Sequence, residues 1–283
     1  MVGDLTTLAK VKSYLAIDPY DASADAVLST LISTQSRLFR SKARRDILYQ
    51  KYTETRDGTG QPGIEPWQYP VQSVVSVLID NVTIPAEPTT VAGDAPQYGW
   101  VLSRDRIEIV RYPDSLTGFV PDYGGFGYGS SPYRFSRGSG NVVLTYWAGY
   151  FVSGEAGTIP GSPYQVQAQD NFYSDSGVTF ASGGAALTKV TSAPTASQYS
   201  VSATGLYTFA AADTGKGVLL SYAVVPADIE QAVTDMVAWV YARRTREATR
   251  SKSGIGGESI VYQTDAIPPS AQAVIDLYER QQV

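Results

Sequence analysis

Between Val225 and Arg246, apolar residues fall at Ile229, Ala232, Val233, Met236, Val237 and Val240, the i, i+3, i+4, i+7 spacing of one stripe along a helix. Pro226 suits a first helical position, where a missing N–H costs no intrahelical bond. Asp228 and Glu230 sit at the positive end of the helix dipole, and Arg243, Arg244, Arg246 and Arg250 at the negative end, with Gly254 as a stop. The pattern predicts a helix over 226–250 on which the other helices pack. A short helix is expected over 5–16 from Leu5, Leu8, Val11 and Leu15, capped by Thr6 or Thr7 and ended by Asp18-Pro19. A longer one is expected over 24–44, its stripe being Val27, Leu28, Leu31, Ile32, Gln35, Leu38 and Phe39. A last helix is expected over 270–280 from Ala273, Val274, Leu277 and Tyr278, after Ile267-Pro268-Pro269.

From residue 47 the period changes. A β region over 47–150 is predicted from loose alternation at 47–55, the β-branched run 71–79, a return strand at 82–84, a pair at 100–102 and 107–110, and a closing strand at 141–146. Residues 152–222 shift to Ser, Thr, Ala and Gly. Six short strands are expected there, at 164–168, 178–180, 186–190, 198–201, 205–209 and 217–222, separated by turn residues; that is the pattern of a small β-sandwich or barrel. Val218-Leu219-Leu220-Ser221-Tyr222 echoes Val142-Val143-Leu144-Thr145-Tyr146, as a faint internal repeat or as two unrelated strands of common composition. Residues 252–257 read as a Ser/Gly linker and 258–262 as a short extended piece.

The chain has 283 residues, 22 basic and 27 acidic, which argues against coating nucleic acid through its overall field. It lacks cysteine, so thiol chemistry, disulfides and thiolate metal sites are excluded. It also lacks histidine, the commonest general base and transition-metal ligand. No cofactor, metal or catalytic residue is expected. An enzyme would have to run on carboxylates, Lys, Tyr or Ser alone, for example on the carboxylate pair Asp170 and Asp175. No apolar run approaches 18 residues, so no membrane span is expected and synthesis in the cytosol is expected.

Two basic clusters, 37–45 and 243–252, are read either as solvated helix ends favoured by the dipole or as partner-facing patches. The glycine-tyrosine tract 122–131 has neither the GxGxxG spacing nor a following GK[ST], and reads as a surface loop rather than a phosphate cradle. The last helix either docks on a partner or caps the chain's own core.

Certain of these pieces, in this order, resemble tailed-phage head–tail connector (adaptor, head-completion) proteins of the gp6-like type. The pieces are Leu5-Thr6-Thr7-Leu8-Ala9-Lys10-Val11-Lys12-Ser13-Tyr14-Leu15, the acidic break from Asp18 to Asp25, Pro70-Val71-Gln72-Ser73-Val74, Tyr146-Trp147-Ala148-Gly149-Tyr150, and the helix from Val225 to Arg244. In that family the strand leads almost directly into the helix; here residues 152–222 intervene. The resemblance covers about 4–151 and 223–280. It implies a homo-oligomeric ring, commonly a dodecamer, between portal protein and tail or stopper. DNA passes through such a ring without sequence-specific binding, and the protein resides at the virion neck. No catalytic residues carry over.

The expected fold is therefore α+β, a helical bundle core with a β-strand region and an inserted small β-sandwich. The expected domains are an adaptor core, 1–151 with 223–283, and an inserted module, 152–222. Expected partner or ring contacts are Arg37, Arg40, Arg44, Arg45, Arg243, Arg244, Arg246, Tyr262, Ile267, Leu277 and Tyr278, with Asp18, Asp21 and Asp25 as complementary acids. The alternative reading is a receptor- or carbohydrate-binding virion protein, with Tyr164, Tyr173, Tyr199 and Tyr207 as stacking faces.

Overall fold

The computed structural model describes residues 3–86, 98–111, 134–244, 251–253, 259–261 and 266–280. Two helices come first, α1 (Leu8–Tyr14) and α2 (Asp25–Ala43). The strands β1 (Gln50–Gly58), β2 (Gly63–Ile64), β3 (Val71–Ile79), β4 (Val82–Ile84), β5 (Tyr98–Ser103), β6 (Arg106–Arg111) and β7 (Gly138–Ala148) follow. Next are β8 (Phe151–Thr158), β9 (Gln165–Gln167), β10 (Phe172–Phe180), β11 (Thr188–Lys189), β12 (Gln198–Val201), β13 (Leu206–Phe209) and β14 (Gly217–Val224). The chain ends with α3 (Ala227–Arg243), the hairpin β15 (Ser251–Ser253) and β16 (Ser259–Val261), and α4 (Pro269–Tyr278).

This corrects the expected fold class. Strands take up 38% of the structure against 25% for helices, so a helical bundle is not the core of the fold. The helical stripes are real but few. Among the described residues apolar side chains gather in three clusters, and the helices own one of them. The chain divides into two compact units, residues 1–48 with 150–283, and residues 49–149.

In the first unit the four helices share one cluster. Val11, Leu28, Ile32, Phe39, Ile229, Val233, Met236, Val237, Ala271 and Ile275 are buried in it. Thr7 caps α1, its hydroxyl accepting from the Lys10 N–H. Arg44 ends α2 in the left-handed region, φ 54°. Pro226 stands just outside α3, not as its first helical residue, and α3 ends at Arg243. Residues 245–250 and Gly254, the expected last turns and stop, lie outside the described residues. Three expectations shift. Val27, placed on the stripe, is exposed on α2, and Ile47 and Leu48, placed at the start of the β region, are buried with the helices. Lys252 belongs to a paired strand, not to a linker.

Also in this unit, residues 151–224 build two sheets, ordered β10-β14-β8 and β11-β12-β13-β9, that share a second cluster. Val178, Val218, Leu220 and Tyr222 come from the first sheet, and Tyr199, Tyr207 and Phe209 from the second. Strand β8 was not anticipated, because Gly154, Ala156 and Gly157 dilute its β signal. Gly157 has a packing reason: a Cβ there would lie 3.0 Å from Val166 Cγ1. Strand β8 pairs antiparallel with β14 from Thr158↔Gly217 to Phe151↔Ala223, so the segment enters and leaves at neighbouring points.

The second unit is antiparallel β. Its main sheet runs β1-β7-β3-β4, and a smaller one runs β2-β6-β5. Val142, Leu144, Tyr146 and Ala148 alternate inward along β7 and meet Val77, Ile79, Ile107 and Phe135. Asp80 and Asn81, at φ 52° and 64°, make the tight turn between β3 and β4. Glu54 points inward on β1 and accepts from the Trp67 N–H and the Tyr146 hydroxyl. Burial nevertheless raises its carboxyl above the usual range, because desolvation disfavours the charge more than these bonds favour it. The tract 122–131 lies outside the described residues.

Candidate partner-binding site

At the end of α2 the left-handed turn at Arg44 sends consecutive arginines in opposite directions. Arg44 stays exposed and its Nε lies 3.3 Å from Glu279 Oε1. Arg45 turns inward. It is buried, its Nη2 donates to the Tyr150 hydroxyl at 3.1 Å, and its guanidinium lies over the rings of Tyr150 and Tyr278, 6.0 and 5.4 Å from their centroids. The two rings meet edge to face at 6.2 Å. The Tyr278 hydroxyl donates to Asp228 Oδ2 at 2.8 Å, and burial with that carboxylate raises the phenol's pKa. The Arg280 N–H donates to the Ala43 carbonyl at 3.0 Å. These contacts hold the end of α4 against the end of α2.

The expected contact residues thus divide. Arg44, Arg45, Leu277 and Tyr278 meet at the α2–α4 junction, but Arg45 and Tyr278 are engaged in holding it together. Leu277 is 75% exposed beside it. Arg37 is exposed and Arg40, half-buried, pairs with Asp46 at 3.1 Å one to two turns earlier. Ile267 is half-buried against the helical cluster. Arg243 and Arg244 stand at the end of α3, stacked on Trp239 and Tyr241 of their own helix. Arg246 and Tyr262 lie outside the described residues. The last helix contributes Ala271 and Ile275 to the chain's own core and leaves Leu277 outward, so both readings of it have a physical basis.

Sequence reasoning missed the loop between α1 and α2. Lys12 is 4% exposed, and its Nζ donates to the carbonyls of Pro19 (3.2 Å) and Asp21 (2.8 Å) and pairs with Asp25. The acidic break was the available signal, but one basic residue organising it from beneath has no sequence signature.

The residues offered for other chemistries have structural roles. Asp175 accepts from the hydroxyls of Tyr199 (2.9 Å) and Tyr207 (3.0 Å), and Lys189 Nζ lies 3.0 Å away. Its lone pairs are occupied, which suits a structural anchor better than a general base. Tyr199 and Tyr207 are buried in the β cluster and present no face to a sugar, while Tyr164 and Tyr173 are half-buried. Tyr173 accepts the Gly3 N–H at 3.0 Å. Among the described residues no cluster of three His, Cys, Asp or Glu could hold a metal, and no helix is long and apolar enough to cross a membrane.

Comparison with known proteins adds one match. The family model described as head completion protein matches residues 174–281. The match begins in β10 and runs through β14, α3 and α4, so it takes in both the second half of the β segment and the helices at the junction. No curated protein matches the chain. Over residues 174–281, less than half of the chain, the sequence is similar to the head completion proteins, which supports a structural role in a phage head.

Proposed function

We propose that this protein is a head-to-tail adaptor that forms a ring between the portal and the tail or its stopper, with the genome passing through the ring. The family match over α3 and α4 carries the reading. The α2–α4 junction supports it: a structural joint needs a rigid element that presents side chains outward, and Arg45, Tyr150, Tyr278 and Asp228 fix that end of the helical cluster. The outward set is Arg37, Arg44 and Leu277, with Arg243 and Arg244 as a second basic group. A ring of identical subunits requires two different, complementary surfaces on each copy. A basic set facing other proteins fits a DNA channel better than one lining it, since each additional phosphate contact would slow a sliding duplex.

We further propose that residues 152–222 are a module carried on the adaptor body, entering and leaving by the paired strands β8 and β14. The experiment is deletion of the reading frame in the phage that encodes it. Expected products are DNA-filled heads without tails that lose their genome. Normally tailed, infectious particles would overturn the reading.

A further inference from the structure

We infer that residues 3–6, ahead of α1, form a strap that sets the orientation of the β segment 151–224 on the helical cluster and can release it; the inference rests on the reading of 152–222 as a carried module. The chain passes between the two regions at paired positions, Phe151 opposite Ala223, with the Val224 N–H donating to the Tyr150 carbonyl at 3.1 Å. Two crossings side by side make a hinge. A contact away from them is needed to set the angle, and the start of β10 supplies it. Phe172 faces the β cluster and its neighbour Tyr173 the helical one, as alternation along a strand dictates. The Tyr173 hydroxyl accepts the Gly3 N–H at 3.0 Å. Beside it the Asn171 carbonyl accepts the Val225 N–H at 3.1 Å, and Asn171 Oδ1 lies 3.5 Å from Lys10 Nζ, which pairs with Glu230 at 2.6 Å.

From Tyr173 the strap runs between α2 and α3. The Ser33 hydroxyl donates to Asp4 Oδ2 at 3.3 Å, the Leu5 N–H donates to Ser36 Oγ at 3.0 Å, and the Thr6 and Thr234 hydroxyls pair at 2.9 Å. Leu5 is 1% exposed within the helical cluster. Gly3 stands at φ 104°, a backbone conformation that side chains disfavour, and a Cβ there would lie 3.1 Å from Arg40 Nη2. Glycine is therefore what lets the backbone pass Arg40 and aim its N–H at Tyr173. The two ends of the strap differ. Leu5 anchors one end in an apolar core, whereas the other reaches the β segment through a backbone amide on a phenol. A neutral hydrogen bond contributes little net free energy, so that end opens first. Opening it lets the β segment turn about the β8–β14 crossing while the helices stay packed.

The chain contains no cysteine, so spin labels can be placed in pairs without background. Ser41, exposed on α2, and Ser182, exposed just beyond β10, are changed to cysteine in the full chain and labelled, and their separation is read by pulsed electron resonance. One narrow distance distribution is expected with the strap intact. Gly3→Val combined with Tyr173→Phe is expected to broaden it and add a second maximum. A control pair, Ser182→Cys with Ser192→Cys, lies within the β segment and is expected to keep its distribution in the same variant. A 41–182 distribution unmoved by the two substitutions would overturn the strap. Broadening of both pairs would overturn it as well, since residues 3–6 would then hold the β fold itself and not its orientation. The module reading is tested apart, by excising 152–222: a remainder that does not fold would overturn that reading and leave the label distances as they were.

Discussion

The helical cluster and the β segment 151–224 share one compact unit, yet they are held together differently. In the helices the apolar cluster is almost all aliphatic, with Phe39 its only fully buried aromatic ring among the described residues, and the polar contacts are scattered through it rather than tied to rings, as with Lys10–Glu230 or the buried Thr6–Thr234 hydroxyl pair. In the β segment three of the buried side chains are tyrosines, and each phenol is tied to a carboxylate: Tyr199 and Tyr207 to Asp175, Tyr222 to Glu155. Asp213, fully buried, accepts from the Ser197 N–H and pairs with Lys216. A long helix can bury an aliphatic stripe without stranding polar atoms, since its backbone bonds are internal. Short strands with large rings between them must provide for each phenol separately.

The contrast can be broken or sharpened by substitution. Phe39→Ala is expected to cost most, about 3–5 kcal/mol, because it leaves a cavity where α2 meets its neighbours; the midpoint of chemical unfolding measures it. Asp175→Ala is expected to cost about 2–3 kcal/mol by leaving two phenols without their acceptor, and Asp175→Asn less, since the amide oxygen still accepts. If Asp175→Ala proved neutral, the polar anchoring of the β segment would be incidental.

Alkali should weigh more on the β segment, where three raised phenols are buried together, than on the helical cluster, where Tyr278 is raised at the edge. The Tyr222 phenol is pushed up from 10.0 to about 12 by burial and the bond to Glu155. A raised folded pKa means a contribution fully present below pH 10.0 and lost as the pH climbs through about 12. Tyr199 and Tyr207 are raised in the same direction by burial and Asp175. Tyrosinate absorbance followed through that window should show a late-ionising set, and hydrogen exchange should show the β segment loosening as that set ionises. Replacing Arg44 by Ala is expected to have the smallest effect, under about 1 kcal/mol on thermal stability, since its pair with Glu279 is exposed.

How much of this was legible depended on periodicity. The stripe from Ile229 to Val240 announced α3 because every third or fourth position repeats one choice, and five of its six residues are buried. Strand β8 was invisible because glycines at 154 and 157 serve the backbone, and a side-chain pattern cannot record that. The weight given to helices overshot for a related reason: their stripes are conspicuous, while the alternation in 49–149 and 151–224 is spread over many short strands that together outweigh them. At the candidate site, composition located the arginines but not their directions. Arg44 and Arg45 are adjacent in sequence, and only the left-handed φ at Arg44 sends one outward and the other under two tyrosine rings.

The pairing of Phe151 with Ala223, reinforced by the Val224 N–H donating to the Tyr150 carbonyl, has a practical corollary. Opposed residues of an antiparallel pair stand about 5 Å apart at Cα, a gap that a two-residue turn spans. The polypeptide can therefore be shortened by excising the stretch between those points and splicing in such a turn, or lengthened by grafting a foreign cargo there. A shortened chain that still reaches the particle would turn this joint into an attachment point for display.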